Sequence, residues 1–300
     1  MIRLDRAGKT FGKTKAISSL DLEIKEERIF GLVGTNGAGK STLLRLMAGI
    51  YRPDEGKVTA WEKEVYENPE VKKEIFFHPD DAYFIPNTNA ENIAAWYRTV
   101  YPSFDTERFQ KLLGDFGLDS QRRISAYSKG MKKQLLLLIG ICSGTRFMLC
   151  DETFDGLDPV MRQAVKGLIA GEMTQRPFTP VIATHNLREL EDFCEHVGLL
   201  HKGAMLFSRD LEDMKANTQR IQCVIPDASA EAALLRDLDT VSSKKNGKLL
   251  TLTARGNREE IIRRVELCDP VFCEALPLSL EEIFISETEV AGYEVKNIIG

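Results

Sequence analysis

The feature that most constrains the fold is a glycine-rich segment with the spacing G-x-x-x-x-G-K-[ST]. It consists of Gly34, Thr35, Asn36, Gly37, Ala38, Gly39, Lys40 and Ser41. An apolar run, Arg28–Gly34, precedes it, and a helix-like stretch, Ser41–Ile50, follows it. Glycines let backbone N–H groups surround a phosphate, and the positive end of the following helix favours an anion. The segment therefore predicts a strand, a loop and a helix that bind the phosphates of a nucleotide.

An apolar segment that ends in two acids, Phe147–Glu152, supplies a second element of a nucleotide site. Successive strand side chains point to opposite faces, so Asp151 and Glu152 are predicted to have different roles. Asp151 is placed to hold Mg²⁺, and Glu152 to face the γ-phosphate and orient or deprotonate the attacking water. In the glycine-rich loop, Lys40 can reach the β- and γ-phosphates, and the Ser41 hydroxyl can bind Mg²⁺.

The composition is that of a globular chain. Its 300 residues are 43% apolar and 28% charged, which provides a full core and excludes disorder, collagen and coiled coil. A net charge of −5 argues against binding to nucleic acid through bulk electrostatics. The longest apolar run, Leu135–Cys142, is far shorter than the about 20 residues that span a membrane, and the N-terminus lacks the apolar core of a signal peptide. The cysteines form no C-x-x-C pair, so free thiols in a reducing cytosol are expected.

Two domains are predicted, with a boundary near Phe207. Residues 1–207 alternate strands and helices, which is the pattern of an α/β domain with a mainly parallel sheet. Between about residues 89 and 144 the pattern is helical only, which indicates an inserted helical subdomain. Its helices are predicted at Ala90–Val100, Thr106–Phe116 and Ser128–Ile141.

Residues 208–300 are predicted to form a small α+β domain with the order βαββαβ, which fits a ferredoxin-like sandwich. Its strands and helices are expected at Arg220–Ile225, Ser229–Arg236, Thr240–Ser243, Lys248–Ala254, Arg258–Leu267 and Val271–Ala275. A last helix, Ser279–Ser286, opens with the capping-box spacing Ser279-x-x-Glu282. Cys268 and Cys273 are expected in the core rather than as a redox pair.

Further motifs follow in an order that resembles the ATP-binding subunit of an ABC transporter. Asp155–Pro159, just after the two acids, resembles the D-loop. His185, after the strand Pro180–Ala183, resembles the switch histidine that contacts the γ-phosphate. Tyr127–Met131 occupies the place of the signature LSGGQ, and Phe11 resembles the aromatic residue that stacks on adenine.

The resemblance covers about residues 2–207. It extends more loosely to Ser279–Phe284, which is similar to the ending of drug-, lipid- and ion-exporting members. It implies that two chains enclose two ATP molecules, each between the glycine-rich loop of one chain and the signature of the other. The ATP-binding residues that it implies are Phe11, Gly34, Thr35, Asn36, Gly37, Ala38, Gly39, Lys40, Ser41 and Thr42.

The resemblance also implies the remaining roles in the site. Hydrolysis would be carried by Glu152, His185 and Lys40. The Mg²⁺ ligands would be Ser41, Asp80 and Asp151. The residues that meet the opposite subunit would be Ser128, Lys129, Gly130 and Asp158.

Two positions depart from the family pattern. Where the family has Gln at the end of the strand after the first helix, this chain has Asp80, and a carboxylate can still bind Mg²⁺. In the signature, Ser128 and Gly130 are kept, while Lys129 and Met131 replace Gly and Gln. Ser128 at a helix N-cap would supply the hydroxyl and the helix amides that clamp the γ-phosphate bound to the opposite subunit.

Several residues have a purely structural alternative. Phe11 is either the adenine contact or an ordinary aromatic, and Asp158 is either a D-loop residue or a turn residue before Pro159. Tyr83–Pro86 is either a contact with a membrane protein or core packing of the helical subdomain. Structural roles are expected for His78, His196 and His201. A solvated helix face is expected for Lys132 and Lys133.

The leading hypothesis is an ATPase subunit that dimerises around ATP and drives separate transmembrane permease subunits, with export as the favoured direction. Such a protein would be cytoplasmic and peripheral on the inner face of the cell membrane, and nucleic acid is not an expected partner. One alternative is a soluble ABC-type ATPase without a transport role. Another is a weakly hydrolysing regulatory cassette paired with a stronger partner. The sequence leaves open a homodimer or a heterodimer, the transported substrate and the role of the C-terminal domain.

Overall fold

The computed structural model describes residues 1–276 and 278–290, with side chains up to Ile285. The chain divides into two compact units, and the division falls after Ser208, within the last strand of the first unit and next to the predicted boundary near Phe207. Among the described residues, no helix combines the length and the apolar character that crossing a bilayer requires.

The first unit contains the following strands and helices in chain order. They are β1 (Ile2–Phe11), β2 (Thr14–Ile24), β3 (Phe30–Val33), α1 (Lys40–Met47), β4 (Glu55–Ala60), β5 (Lys63–Glu64), α2 (Pro69–Lys72), β6 (Ile75–His78), α3 (Ala90–Val100), α4 (Thr106–Asp115), α5 (Lys129–Cys142), β7 (Phe147–Asp151), α6 (Pro159–Gln175), β8 (Thr179–Thr184), β9 (His196–His201) and β10 (Ala204–Asp210). Short 3₁₀ turns lie at Ile124–Ala126 and Leu187–Glu189.

The central element is a six-stranded sheet with the strand order β10-β9-β3-β8-β7-β6. Strand β3 pairs in parallel with β8 and β9, and β7 pairs in parallel with β6 and β8. Every residue of β3, β7 and β8 is buried, as expected for parallel strands that are covered on both faces. The carboxyl ends of these three strands therefore meet at one edge of the sheet, and the segments that follow them are brought together.

A second, antiparallel sheet of four strands has the order β2-β1-β4-β5. The sequence pattern predicted only part of β2, at Leu20–Lys25, and did not identify this sheet. The alternation of buried and exposed residues in β1 is interrupted where its register with β2 shifts. Arg6 in this strand has a positive φ of 44°. The predicted fold class, an α/β cassette with a mainly parallel sheet, is confirmed, but the antiparallel sheet is an addition to it.

The helical subdomain contains α3, α4 and α5. Each of these helices begins after a capping residue whose side chain accepts a backbone N–H: Asn89, Asp105 and Ser128. Leu135–Cys142 lies in the second half of α5 and is buried throughout, so this helix is anchored by its C-terminal turns. The three helices agree with the predicted ranges to within two residues at each end.

The second unit contains α7 (Leu211–Ala216), β11 (Thr218–Val224), α8 (Ala228–Asp237), β12 (Asp239–Asn246), β13 (Leu249–Arg255), α9 (Arg258–Glu266), β14 (Phe272–Leu276) and α10 (Leu280–Val290). The strand order is β12-β13-β11-β14, with antiparallel neighbours, which confirms the predicted βαββαβ arrangement. The predicted capping box is present before α10, because the Glu282 N–H donates to Ser279 Oγ at 3.2 Å and the Ser279 N–H donates to Glu282 Oε2 at 3.1 Å.

The cysteines are free thiols, as predicted. Burial raises the pKa of the Cys142 and Cys150 thiols to about 12, which keeps both protonated and unreactive. Cys268 and Cys273 pack against the core of the second unit, and they form no disulfide.

Candidate functional site

A cavity of about 500 Å³ lies at the carboxyl edge of the central sheet. The loop after β3, Glu152 after β7 and Asp80 after β6 all reach it, because these strands run parallel to one another in the same sheet. Its lining consists of Thr14, Lys15, Ala16, Thr35, Asn36, Gly37, Gly39, Lys40, Ser41, Thr42, Asp80, Glu152 and Lys202. Most of the predicted ATP-binding residues therefore lie around one cavity.

The glycine-rich loop is tightly packed against the rest of the unit. Gly39 has φ of 107°, and a Cβ placed there would lie 2.6 Å from the carbonyl oxygen of Ala16. A Cβ at Gly34 would lie 2.4 Å from the carbonyl oxygen of Leu200. Any side chain at either position would therefore displace backbone. The buried Lys40 folds over the loop, since its Nζ donates to the Gly34 carbonyl at 2.6 Å.

Asp151 is the last residue of β7, and it is buried beside Ser41 at the start of α1. Its Oδ1 atom is buried without a hydrogen-bond partner. Burial raises the pKa of the Asp151 carboxyl, and the hydrogen bond with Ser41 opposes this rise. An unsatisfied carboxylate oxygen beside a hydroxyl group, with Asp80 on the same cavity, is a set of hard oxygen donors that fits Mg²⁺.

Glu152 follows Asp151, but its backbone has left the strand conformation, with φ of 48°. Its Oε1 lies 3.3 Å from Lys40 Nζ, and its Oε2 lies 3.0 Å from His185 Nδ1. Such a conformation costs an ordinary residue about 1–3 kcal/mol, and it is typical of functional sites. Asp151 and Glu152 contact different groups, as predicted. Their side chains diverge because strand residues alternate between faces and also because Glu152 has this positive φ.

The segment after β8 is held by a buried acid that the sequence pattern did not identify. Glu189 accepts a hydrogen bond from Thr184 Oγ1 at 2.8 Å and one from Asn186 Nδ2 at 3.3 Å. The Asn186 N–H in turn donates to Thr184 Oγ1 at 3.0 Å. These bonds fix the backbone on both sides of His185. Glu189 lies in a short 3₁₀ turn, and nothing in the neighbouring sequence indicates that it would be buried and hold this segment.

Lys133 differs from the prediction. The sequence predicts a solvated helix face for it, and this prediction is wrong, because the side chain is only 2% exposed. Its Nζ donates to Asp80 Oδ1 at 2.7 Å and to the Glu152 carbonyl at 2.7 Å. The helical spacing does not single out Lys133, because Lys132 stands at i, i+3 and i+4 from the buried Leu135 and Leu136 just as Lys133 does from Leu136 and Leu137.

The histidines with expected structural roles are built into the first unit. His78 is completely buried, and this burial lowers its pKa to about 4, so it is neutral at physiological pH. His196 stacks on Phe30 and its Nε2 lies 2.9 Å from Ser208 Oγ. Burial lowers the pKa of His201.

The signature segment and the D-loop lie next to each other. Ser128 is exposed and caps α5, since its Oγ accepts the Met131 N–H at 3.1 Å. A Cβ at Gly130 would lie 3.3 Å from the carbonyl oxygen of Gly156. Asp158 caps α6, and its Oδ1 accepts the Met161 N–H at 2.9 Å. The structure therefore brings these two predicted segments together on an exposed surface, with Lys129 also exposed, whereas the cavity lining consists of other residues.

Phe11 ends β1 and is 44% exposed. Its ring meets that of Tyr51 edge to face, at 5.3 Å between centroids, and Lys9 lies over it at 5.6 Å. The cavity begins three residues later, at Thr14. Because Phe11 is exposed, part of its ring is accessible to a ligand. Its role in stacking on adenine stays a prediction.

The fold and the site define a class of protein. The class is that of P-loop ATPases, because the chain has a glycine-rich loop between β3 and α1, a buried Asp151 and a Glu152 near His185. The family model described as "ABC transporter" matches residues 17–155. The chain belongs to the ABC transporter family, as an ATP-binding subunit that is an ATPase.

Relatives of known name support this assignment. The chain is 28% identical to the ABC transporter ATP-binding protein YtrB of Bacillus subtilis over 96% of this chain and 98% of that protein. It is 30% identical to the methionine import ATP-binding protein MetN of Clostridium tetani over 67% of this chain and 66% of that protein. The dimeric ATP-binding cassette MJ0796 in a post-hydrolysis state with ADP and Pi has a similar fold, with a TM-score of 0.64, 20% identity and coverage of 70% of this chain and 99% of that one.

Proposed function

We propose that Glu152 is the residue that activates the attacking water in ATP hydrolysis. The observation that supports this role is its carboxylate at the cavity, 3.3 Å from Lys40 Nζ and 3.0 Å from His185 Nδ1. Lys40 is the group that binds the β- and γ-phosphates, and His185 contacts the γ-phosphate. Glu152 then orients the water and accepts its proton as the water attacks. Phe11 stacks on the adenine.

Mg²⁺ belongs to this proposal. Ser41, Asp151 and Asp80 would hold the ion, and the unpaired Oδ1 of Asp151 is the observation that supports it. When bound, the ion neutralises negative charge on the phosphate oxygens. Mg²⁺ is usually held by one or two carboxylates together with the phosphates of the nucleotide.

We further propose that two ATP-binding subunits enclose ATP between them. Ser128, Lys129 and Gly130 are on an exposed surface beside the D-loop, where a second subunit can reach them. Ser128 and the first N–H groups of α5 would bind the γ-phosphate held by the opposite subunit, and Asp158 would meet that subunit. The proposal covers a homodimer and a heterodimer, which the following experiment separates.

Sedimentation of the purified chain with and without ATP and Mg²⁺ tests this proposal. We expect a monomer without nucleotide and a dimer with both, because each cavity lacks the signature residues until a second chain supplies them. A chain that binds ATP but stays monomeric requires a different partner cassette, and this result contradicts the homodimer. ADP with Mg²⁺ is the control, since it has no γ-phosphate for Ser128 to bind.

Separate transmembrane permease subunits are the proposed partners, with the chain peripheral on the inner face of the membrane. Tyr83 and Ile85 follow the segment that contains Asp80, and their side chains are 82% and 45% exposed. This exposure contradicts core packing as the role of these two residues. Large exposed apolar side chains close to a functional site are typical of docking surfaces. We propose that Tyr83 and Ile85 contact the permease.

Changing both residues to lysine should release the chain from membranes. In washed membranes of its native cell, we expect Tyr83→Lys/Ile85→Lys to lower the bound fraction at least about tenfold, because buried aromatic anchors carry much of an interface's free energy. The control is Leu267→Lys/Val271→Lys, a matched pair in the second unit that is 82% and 78% exposed. Equal release of both double variants, or of neither, would contradict the docking role.

Export is the proposed direction of transport, and it rests on the resemblance of Ser279–Phe284 to exporting members. The complex of the chain with its permease, in inside-out membrane vesicles, tests it. ATP added outside should load an exported substrate into these vesicles, and ATP-dependent loss of a preloaded substrate would instead indicate an importer.

A further inference from the structure

Lys133 joins two parts of the site from a buried position in the signature helix α5. Its Nζ reaches Asp80 Oδ1, on the segment after β6, and the carbonyl oxygen of Glu152, after β7, both at 2.7 Å. An ammonium group in a protein interior is strongly unfavourable unless opposite charge and hydrogen bonds compensate for the lost hydration. The position of Lys133 is therefore specified by these two acceptors and not by solvent.

The backbone of Lys133 is fixed as well. Its carbonyl oxygen lies 3.2 Å from His78 Nε2, and His78 Nδ1 lies 3.3 Å from Thr153 Oγ1. A carbonyl only accepts, so Nε2 carries the proton of the neutral ring, and Nδ1 accepts from the Thr153 hydroxyl. Both contacts are buried. Thr153 and Glu152 are therefore both connected to Lys133 on α5. Thr153 is connected through His78 to the Lys133 carbonyl, and the Glu152 carbonyl accepts directly from the Lys133 ammonium group.

Glu152, which is held in this way, has an unusual backbone conformation. Glu152 has φ of 48°, and a residue keeps such a conformation only where its surroundings stabilise it. If the backbone turned toward an ordinary φ, the carboxylate would leave Lys40 and His185. Lys133 opposes this turn because it binds the Glu152 carbonyl from the side of α5.

We propose that Lys133 is a positioning residue for hydrolysis, which couples Asp80 to the backbone of Glu152 and keeps the Glu152 carboxylate at the cavity. This inference rests on the proposed role of Glu152 in activating water. The partners of Lys133 Nζ are Asp80 and the Glu152 carbonyl, and neither belongs to the glycine-rich loop that would bind the phosphates. The removal of Lys133 should therefore affect the chemical step more than the binding of ATP.

The test is the ATPase activity of Lys133→Met, which keeps the length and apolar stem of the side chain but removes its charge and donors. We expect kcat to fall by about 10- to 100-fold while the Kd for ATP changes by less than about threefold. Lys133→Arg, which keeps the charge and donors, should recover part of the activity. Lys132→Met is the matched control, a partly exposed lysine on the same helix, and it should behave as the wild type.

A double-mutant cycle separates positioning from a merely structural effect. In the Glu152→Gln background, Lys133→Met should cause little further loss of kcat, because a positioned base is already absent. A full further loss, an unchanged kcat in the single variant, or a parallel loss of ATP affinity would overturn the inference. Lys133→Gln replaces the Met variant in the cycle if the latter does not fold. If Glu152→Gln itself keeps wild-type kcat, the proposed function fails instead, so the two failures are distinguishable.

Discussion

Glu152→Gln should lower kcat for ATP hydrolysis by at least about 100-fold, because general base catalysis contributes about 10²- to 10⁴-fold and an amide cannot accept the proton of the attacking water. The Kd for ATP should be unchanged or lower. The glutamine keeps the size of the side chain, and the loop residues that bind phosphates are untouched. The measurement is steady-state ATPase activity with a parallel equilibrium titration of ATP.

The same variant should accumulate as a dimer. In the proposed dimer, hydrolysis would end the enclosed state, so sedimentation with ATP and Mg²⁺ should give a dimer that persists longer than that of the wild type. Glu195→Gln is the matched control, an exposed glutamate between β8 and β9, and it should be active. Retention of wild-type kcat by Glu152→Gln would show that another group activates the water, whereas loss of ATP binding would indicate damage to the cavity.

Most of the site could be predicted from short segments of sequence. The glycine-rich loop and the acids after Phe147 are each encoded by neighbouring residues, and a parallel sheet brings its carboxyl ends together without further information. The same holds for helix starts, because a cap depends only on residues within the first turn of its helix. The examples are the helix starts at Asn89 and Ser128 and the capping box at Ser279. Local chemistry of this kind is visible in one sequence.

The parts that escaped prediction depend on residues that are far apart in the chain. Strand β1 pairs with β4, so that Ile2 lies opposite Ala60, and no local pattern encodes such a partner. Lys133 resembles its neighbour Lys132 in sequence, yet only Lys133 meets Asp80 and Glu152 across the fold. The positive φ of Glu152 likewise follows from its surroundings and not from its residue type.

Ser128→Arg should abolish ATP-driven dimerisation and, with it, at least about 100-fold of the ATPase activity, while the monomer keeps its ATP affinity within about threefold. Ser128 is exposed and at the N-terminus of α5, so arginine would fill the space that the opposite γ-phosphate needs and would remove the hydroxyl. The loss of the cap costs about 1 kcal/mol. Since the buried Leu135–Cys142 anchors the helix, the fold of the subdomain should survive this cost.

Asn257→Arg isolates the effect of a lost cap from the effect at the signature. Asn257 is also an exposed N-cap, of α9, and its Oδ1 accepts the Glu259 N–H at 2.8 Å. Both substitutions remove one cap and add one positive charge, so their effects on thermal stability should be similar. Only Ser128→Arg should prevent the dimer in sedimentation with ATP and Mg²⁺. Two outcomes would contradict this role: dimerisation of Ser128→Arg, or an equal loss of ATP binding and dimerisation. Either would mean that the altered signature does not bind the γ-phosphate of a second subunit. The lysine and methionine that replace its usual residues would then mark a cassette that depends on its partner's signature.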